Sequence, residues 1–257
     1  MLGGLSLACR ISVVKLGGGV ITVKSSPETI DYESLGKAVA QLAEYRRSGG
    51  LLALVHGGGS FGHVAVARIL REKGFLSALD SSVVQESMLK LAMAVVKTLR
   101  EHGLNPSLHP PHSICLTPDL KECNVDVIAR DLRLGLTPVT FGDIIPVEGG
   151  EAKVISGDDL AAEIASKLKA DCLVYVIREP GVLGPEGQVI PVLKSIDQLS
   201  ILTSTRWDDV TGGIKRKVEV ALEASKSVER VIITNTENLL KALRGDSVGT
   251  RVKYSEY

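Results

Sequence analysis

Short apolar runs alternate along the chain with longer stretches in which apolar residues recur at helical spacing. The short runs are typical of buried β-strands, and the longer periodic stretches are typical of helices that bury one face. The predicted strands cover residues 11–16, 51–55, 113–116, 137–140, 172–177 and 230–234. The predicted helices cover residues 34–47, 64–73, 81–102, 160–168 and 215–225. Strands that alternate with helices favour a mainly parallel sheet covered on both faces, so we predict an α/β fold built as a three-layer αβα sandwich.

The same alternation continues along the whole chain without an internal repeat or a low-complexity tract. Four prolines between positions 106 and 118 mark an irregular stretch, which is too short to link two domains. A chain of 257 residues can bury one large core. We therefore predict a single domain over residues 1–257, with an N-terminal lobe over about 1–150 and a C-terminal lobe over about 151–257.

The charge balance gives no global attraction to nucleic acid or to anionic membranes, because 30 basic residues match 30 acidic ones. The N-terminal segment is briefly apolar, but it is too short to span a bilayer and lacks the basic start of a signal peptide. Cys9, Cys115, Cys123 and Cys172 show no CxxC spacing, which favours reduced thiols over a disulfide framework or a zinc site. We expect a soluble, cytoplasmic protein with no nucleic-acid or membrane partner.

The segment LVHGGGSFGH, residues 54–63, places four glycines between a predicted strand and a predicted helix. Ligands of parallel α/β sheets bind beyond the carboxyl ends of the strands, and free N–H groups at a helix start attract anions. Glycine lets an anion approach the backbone without a β-carbon in the way. The segment therefore predicts a phosphate-binding loop. The alternative is an ordinary strand-to-helix turn, for which one glycine would suffice.

The same segment also satisfies G-x-G-x-x-G, the pattern of dinucleotide-binding folds, through Gly57, Gly59 and Gly62. That interpretation requires an acidic residue at the end of the next strand, about twenty residues on. Asp80 lies near that distance, but its surroundings are a poor strand. A nicotinamide-dependent oxidoreductase stays open but is disfavoured, and a P-loop is excluded because the chain has no G-x-x-x-x-G-K-[ST].

A second glycine cluster follows the first predicted strand in VVKLGGGVITVK, where Lys15 precedes three glycines and Lys24 follows them. Further polar glycine turns occur at element boundaries in VTFGDIIP, VISGDDLAAEIASKLKAD and DDVTGGIKRK. Two glycine loops with lysines as point charges can hold one polyphosphate between them. This is the arrangement of a phosphoryl-transfer site.

Together these motifs resemble the amino-acid kinase superfamily and, within it, the isopentenyl phosphate kinases. The superfamily opens with K-[LF]-G-G-S, which residues 15–19 match with Gly19 in the serine's place. The longer motif H-G-G-G-[SA]-F-G-H is typical of isopentenyl phosphate kinases, and residues 56–63 match it in full. SGDD followed by LKAD, and DVTGG followed by a lysine, are also similar to that family. The resemblance extends from about residue 13 to residue 250.

The resemblance implies roles for individual residues. Lys15 and Lys217 would neutralise the transferring phosphoryl group, and Asp158 would orient them. His63 would bind the acceptor phosphate, in place of the carboxylate that related enzymes take, while His56 would orient the loop. The acceptor side would also include Gly57, Gly58, Gly59, Gly62, Gly142, Asp143 and, over the acceptor's hydrocarbon tail, Val84 and Met88. The nucleotide side would comprise Gly17, Gly18, Lys24, Gly181, Gly213 and Lys217, with Lys24 bridging the phosphates.

The pattern breaks after the predicted strand at 172–177. The family resembled has T-D-V-D-G-V there, whereas this chain has Ile177-Arg178-Glu179-Pro180-Gly181-Val182. Both acidic residues are missing from their positions, and Arg178 reverses the charge of one. This change concerns the nucleotide side and leaves the acceptor loop and the lysines unaffected.

The resemblance implies a kinase of isoprenoid biosynthesis that moves the ATP γ-phosphoryl group onto isopentenyl phosphate, with a small phosphate as its partner molecule. It further implies that Mg²⁺ is held mainly by phosphates and water and that no residue of the chain ligates the metal. It also implies a homodimer. Three alternatives stay open. They are a kinase for another small phosphate or phosphonate, a non-catalytic nucleotide or metabolite sensor, and the oxidoreductase.

Overall fold

The computed structural model of the protein describes residues 8–198 and 211–255. Its largest feature is an eight-stranded sheet in the order β3-β4-β2-β1-β7-β9-β10-β8. These strands are β1 (Ile11–Leu16), β2 (Leu51–His56), β3 (Pro106–Leu108), β4 (Thr137–Phe141), β7 (Cys172–Val176), β8 (Val192–Leu193), β9 (Arg230–Thr234) and β10 (Thr250–Val252). Only the β9–β10 pairing is antiparallel, so the predicted mainly parallel sheet is confirmed. A separate antiparallel hairpin joins β5 (Asp143–Pro146) to β6 (Ala152–Ile155).

Helices cover both faces of the sheet. They are α1 (Gly18–Ile21), α2 (Tyr32–Arg47), α3 (Gly59–Lys73), α4 (Ser81–Glu101), α5 (Pro111–Ile114), α6 (Asp126–Arg133), α7 (Gly157–Lys167), α8 (Thr211–Ala224) and α9 (Leu239–Arg244). The helices α2, α4 and α9 pack with one set of alternating strand residues, and α6, α7 and α8 pack with the other set. The three-layer αβα prediction is therefore confirmed. Within the described ranges, none of these helices combines the length and apolar character that a bilayer crossing requires.

Strand alternation decides which side chains reach which layer. In β1, Val13 belongs to the core under α7, whereas Val14 and Leu16 belong to the core under α2. Because neighbouring strand residues point to opposite faces, Lys15 shares the α7 face with Val13. It lies near the carboxyl end of β1 and pairs in register with Val55 on one side and Tyr175 on the other. The only charged residue of this buried strand is thus directed toward the start of α7.

Two local predictions are wrong. Residues 113–116 do not form a strand: the short helix α5 runs from Pro111 to Ile114, and only Cys115 makes an isolated bridge, to Cys123. Pro111 occupies the first helical turn, where its fixed φ suits a helix and its missing N–H is not needed. The helix predicted for 64–73 instead begins five residues earlier, at Gly59, so the glycine loop itself forms the first turn of α3.

The cysteines also differ from the expectation of reduced thiols. Cys9 is joined to Cys172 with a Cα–Cα distance of 5.5 Å, and Cys115 is joined to Cys123. The first pair ties the segment before β1 to the start of β7, across a sequence separation of 163 residues. Spacing along the sequence gives no sign of such a pair, because the contact depends on the pairing of β1 with β7.

Candidate active site

A cavity of about 670 Å³ opens at the carboxyl ends of β1 and β2, where parallel sheets bind their ligands. It lies between the turn after β1, the loop after β2, the starts of α7 and α8, and the β5–β6 hairpin. The predicted site residues that line it are Lys15, Gly17, Gly18, Lys24, Gly57, Gly58, Gly62, His63, Met88, Gly142, Asp143, Asp158, Gly213 and Lys217. Residues that are distant in sequence therefore meet in one cavity.

The two glycine clusters contact each other through their backbones. A β-carbon on Gly18 would collide with the backbone nitrogen of Gly59, and one on Gly59 would collide with Thr22 Oγ1. Gly59 also has a φ of +50°, which favours glycine. Thr22 Oγ1 donates to the Gly18 carbonyl at 2.7 Å and accepts from the Ser60 N–H at 3.0 Å. Gly59 therefore does not line the cavity but holds the two loops together.

Three charged side chains form the centre of the cavity. The Asp158 carboxylate accepts from Lys15 Nζ at 2.7 Å and from Lys217 Nζ at 2.7 and 2.8 Å. The three side chains are 8%, 14% and 10% exposed in the order Lys15, Asp158, Lys217. Lys15 ends β1, Asp158 lies in the first turn of α7, and Lys217 lies on α8. One carboxylate thus fixes two ammonium groups that come from separate elements.

The charges of this cluster set its protonation. Burial alone would raise the pKa of Asp158, but Lys15 and Lys217 outweigh it and lower that pKa to about 2. For Lys217, burial and the nearby charge of Lys15 lower the pKa to about 8, against the opposing effect of Asp158. At pH 7 the cluster therefore carries two positive charges and one negative charge. The surplus positive charge faces the cavity and suits an anionic group.

Tyr175 contacts two members of the cluster, Asp158 and Lys217. Its hydroxyl donates to the Asp158 carbonyl oxygen at 3.1 Å, and its ring centroid lies 5.3 Å from Lys217 Nζ. The residue is fully buried, and burial together with the charges of Asp158 and Asp159 raises its pKa well above 10. The hydroxyl therefore stays protonated and remains a donor. The ring also gives the Lys217 ammonium a favourable cation–π contact.

The two histidines of the glycine loop differ in environment. His56 is fully buried, stacks on Phe141 with a centroid distance of 5.3 Å, and its Nδ1 lies 3.2 Å from the Gly57 carbonyl. Burial lowers the pKa of His56 to about 4, so the ring is neutral and acts as packing for the loop. His63 lines the cavity with an exposed side chain, and its ring makes no hydrogen bond to the described part of the chain. Although the side chain reaches solvent in the cavity, the protein around the ring removes part of its hydration, and this desolvation and the Lys15 charge lower the pKa of His63. The shift favours a neutral imidazole with one N–H available to a ligand.

A histidine–carboxylate pair lies at the wall of the cavity. Asp143 Oδ2 lies 2.6 Å from His112 Nδ1 and 3.3 Å from the His112 backbone N–H. Its other oxygen, Oδ1, is buried with no hydrogen-bond partner among the described residues. Burial raises the pKa of Asp143, with His112 opposing the shift. The sequence motif identified Asp143, but nothing in the sequence pointed to His112, which lies 31 residues earlier.

One end of the cavity is apolar. Met88 and Val84 of α4 line it, together with Val66 of α3 and Val154 of β6. Met88 is 1% exposed and packs against the glycine loop, where a β-carbon on Gly62 would come within 2.6 Å of its sulfur. Met88 therefore belongs both to the core and to the cavity wall. Val154 was not identified from the sequence, because β6 is short and its exposed positions hide the strand pattern. Val66 was not identified either, although it lies in a predicted helix, because nothing in the sequence distinguishes it from the other apolar residues of α3.

The opposite end contains the segment that departs from the family pattern. Ile177, Arg178 and Glu179 line the cavity next to Gly17, Gly19 and Lys24. Gly213 lies at this side on α8. Gly181 does not line the cavity, since its α-carbon packs against Val189 and Thr250, and the Val182 N–H donates to Thr250 Oγ1 at 2.8 Å.

Asp80, on which the dinucleotide interpretation depends, does not end a strand. It lies in a 3₁₀ turn, accepts from Lys73 Nζ at 2.6 Å and caps the backbone of Ser77 at 3.0 Å. The hydrogen bond from Lys73, with those from Ser77, lowers its pKa to about 2. It does not line the cavity, so it is not placed to bind a ribose there.

Comparison with known proteins, by sequence and by fold, identifies the family. The amino acid kinase family matches residues 10–235. The isopentenyl phosphate kinase of Haloferax volcanii is 35% identical over 94% of this chain and 98% of its own length. The one from Methanocaldococcus jannaschii is 28% identical over 96% of this chain and all of its own. The solved structure of the Thermoplasma acidophilum isopentenyl phosphate kinase, a product complex, has the same fold, with a TM-score of 0.75. The two chains are 24% identical, and the match covers 95% of this chain and all of the Thermoplasma chain. The chain that forms these two glycine loops and the lysine pair between them therefore belongs to the amino acid kinase family.

Proposed function

We propose that the protein is an isopentenyl phosphate kinase, which transfers the γ-phosphoryl group of ATP to the phosphate of isopentenyl phosphate and releases isopentenyl diphosphate and ADP. The observation that carries this proposal is the Lys15–Asp158–Lys217 cluster beside the glycine loop that ends in His63. The names of the Haloferax and Methanocaldococcus relatives support the same substrate.

No covalent enzyme intermediate is required. An oxygen of the acceptor phosphate is itself a competent nucleophile, so the protein has only to position two phosphates in line and to neutralise charge. Lys15 and Lys217 provide two ammonium groups whose positions Asp158 fixes before any ligand arrives. Preorganised charge of this kind stabilises the transferring phosphoryl group without reorganisation during the reaction.

The acceptor phosphate is proposed to lie against the backbone of Gly57 and Gly58, at the start of α3, with His63 as an additional donor. The Gly57 N–H already donates to the Leu16 carbonyl at 2.9 Å and the Ser60 N–H to Thr22 Oγ1, so the backbone donor proposed for the phosphate is the Gly58 N–H, aided by the positive end of the helix dipole. A neutral imidazole N–H suits the dianionic phosphate of the acceptor. The five-carbon tail is proposed to lie against Val84, Met88, Val66 and Val154, which form a short apolar wall.

Magnesium is proposed to accompany the nucleotide. The residues that the structure describes contain no group of three side chains able to hold a metal ion. Both oxygens of Asp158 are engaged by lysines and Asp143 Oδ2 by His112, which leaves Asp143 Oδ1 as a single buried oxygen without a partner among the described residues. This donor set fits an ion held by phosphates and water, where it would neutralise the charge of the phosphate chain. We also propose, from the family resemblance, a homodimer in the cytoplasm, which light scattering and localisation of a tagged chain would test.

The proposal is tested by incubating purified protein with ATP, Mg²⁺ and a panel of acceptors while ADP release is followed. We expect turnover with isopentenyl phosphate and none with acetylglutamate, aspartate or UMP. Turnover with UMP and none with isopentenyl phosphate would contradict the proposal. A protein that binds ATP but turns over no acceptor would instead favour the sensor, for which the altered 177–182 segment is the argument.

A further inference from the structure

The cations around the cavity divide into paired and unpaired groups. The basic residues that line it are Lys15, Lys24, Arg178, Arg216 and Lys217. Lys15 and Lys217 share Asp158, and Arg216 pairs with Asp159 at 2.7 Å. Lys24 and Arg178 have no carboxylate within ion-pair distance in the part of the chain that the structure describes. Both side chains are exposed, so the rim carries two positive charges outside any ion pair, beside one carboxylate, that of Glu179.

These two side chains flank the same point of backbone. Arg178 Nε donates to the Gly19 carbonyl oxygen at 2.6 Å. A β-carbon on Gly19 would lie 3.1 Å from Lys24 Cε and 4.0 Å from Arg178 Nε. Lys24 and Arg178 therefore both lie next to Gly19, in the glycine turn that follows β1. Since Nε is occupied by the carbonyl, the two terminal nitrogens of the guanidinium remain available to a ligand.

The contact also fixes where the guanidinium lies. The carboxyl end of β7 leads into Arg178, and the contact to Gly19 joins that strand to the turn after β1. The bond reduces the number of conformations that a long exposed arginine samples, so less entropy is lost when a ligand binds. An arginine fork held at the rim of a cavity is suited to phosphate oxygens, which it can contact with two N–H groups.

We infer that Arg178 joins Lys24, to which the resemblance already assigns the phosphates, in a clamp for the polyphosphate chain of the donor. The protein would then hold its donor by the phosphates with a residue that replaces an acidic residue of the motif it resembles. The inference rests on the proposed function only for the identity of the donor as a triphosphate. The chemical class that the clamp recognises is a linear polyphosphate, with or without a nucleoside.

Inorganic tripolyphosphate is the probe that isolates the clamp from any contact to base or ribose. Its affinity is measured by calorimetry for the wild-type protein and for variants at position 178. Arg178→Gln retains a donor for the Gly19 carbonyl and removes the charge, whereas Arg178→Lys retains the charge and removes the fork. The matched control is Arg133→Gln, which removes an exposed arginine at the end of α6, outside the cavity.

We expect Arg178→Gln to weaken tripolyphosphate binding by about tenfold, the size of one charge-assisted hydrogen bond. Arg178→Lys should stay within about threefold of wild type, Arg178→Asp should be weaker than Arg178→Gln, and Arg133→Gln should be unchanged. Binding of isopentenyl phosphate should be the same in all of them.

Tripolyphosphate affinity that is unchanged in Arg178→Gln would overturn the inference, as would a wild-type protein that does not bind tripolyphosphate. A parallel loss of isopentenyl phosphate affinity would also overturn it, because Arg178 would then only support the glycine turn. If Arg178→Gln does not fold, Lys24→Gln tests the same clamp with the same two probes. A failure of the proposed function appears separately, as an absence of turnover with isopentenyl phosphate in the wild type.

Discussion

The two ends of the cavity are built in different ways. The loop proposed to hold the acceptor is assembled from backbone: Gly18 and Gly59 touch, Thr22 joins the turns, and His56 and Phe141 pack beneath. The rim proposed to hold the donor, residues 177–180 with Lys24, is largely exposed, and it is held by hydrogen bonds from Arg178 to Gly19, from the Ile177 N–H to the Thr234 carbonyl and from Thr234 Oγ1 to the Pro180 carbonyl. A backbone site tolerates few sequence changes, because each glycine is required by a close contact. A rim of exposed side chains tolerates many, and there the chain departs from its family's pattern.

The largest expected effect lies where the two ends meet. Lys217→Ala should lower kcat at least 100-fold, since the loss of one preorganised charge contact costs roughly 3 kcal/mol. Lys215→Ala, which truncates an exposed lysine of the same helix, is the control and should have little effect. Steady-state kinetics with saturating ATP measure both, and near-normal kcat in Lys217→Ala would remove that residue from the mechanism.

The pH profile tests the same group without truncation. Lys217 has a lowered pKa of about 8, so as pH rises through that value it loses the proton that neutralises phosphate charge. We expect kcat/KM, which reports the free enzyme, to fall about tenfold per pH unit well above pH 8. In Lys217→Arg the fall should move to higher pH, since an arginine keeps its charge. An identical alkaline fall in that variant would assign it to another group.

The acceptor end is tested next, by His63→Ala. Loss of one hydrogen bond to a charged phosphate should raise the KM for isopentenyl phosphate by about tenfold while the KM for ATP is unchanged. Val64→Ala, at the exposed neighbouring position of α3, controls for effects on the helix. An equal rise in both KM values would show that His63 shapes the cavity as a whole and does not select the acceptor.

Met88→Ala tests whether Met88 limits the length of the acceptor's hydrocarbon tail. The space it leaves should admit longer prenyl phosphates, with a gain limited by about 0.8 kcal/mol for each CH₂ that becomes buried. We expect kcat/KM for a ten-carbon relative to the five-carbon acceptor to rise about tenfold, together with a loss of about 2–5 kcal/mol in unfolding free energy. Met93→Ala, which truncates an exposed methionine of the same helix, is the matched control. Destabilisation with an unchanged chain-length preference would assign Met88 to the core alone.

The smallest effect is expected for Tyr175, which contacts Asp158 and Lys217. Tyr175→Phe removes the donor to the Asp158 carbonyl but keeps the ring under Lys217. Loss of this hydrogen bond costs about 1 kcal/mol, and part of that cost should appear as a displacement of Asp158 from its position between the lysines. We therefore expect kcat to fall by about twofold to fivefold, with KM unchanged. Tyr45→Phe removes another buried hydroxyl, bonded to Ser12 and Cys9 away from the cavity, and should leave kcat unaffected. Equal kcat in the two variants would make the Tyr175 contact purely structural.

Much of the fold followed from local pattern. The strands β1, β2, β4, β7 and β9 are continuous buried runs with helices between them, and they were placed to within one residue at each end. The β5–β6 hairpin was missed because its strands have four residues each and half of β6 is exposed. The strand predicted for 113–116 failed because two prolines start a helix there. The Cys9–Cys172 disulfide depends on the pairing of β1 with β7, which sequence spacing does not contain, whereas Cys115 and Cys123 are brought together locally by the turn after α5.

The site was predictable where its residues form contiguous motifs. Lys15, the 56–63 loop, Asp158 and Lys217 are each marked by neighbouring glycines, and all reach the cavity. Supporting residues carry no such mark. His112 contacts Asp143 only because α5 packs on β5, and Tyr175 reaches Asp158 only because β7 lies beside β1 in that register. Their positions follow from tertiary packing, so the sequence alone left them indistinguishable from other core residues.

The backbone contact between Gly18 and Gly59 has a consequence for how such an enzyme diversifies. The separation of the two glycine turns is set by main chain against main chain, with the short Thr22 side chain bonded to both turns. Substitutions on α4 can therefore alter which tail is accepted, and substitutions at 177–180 can alter how the donor is held, while the span that the phosphoryl group crosses stays constant. Acceptor and donor preferences become separable traits, open to independent change by evolution or by engineering.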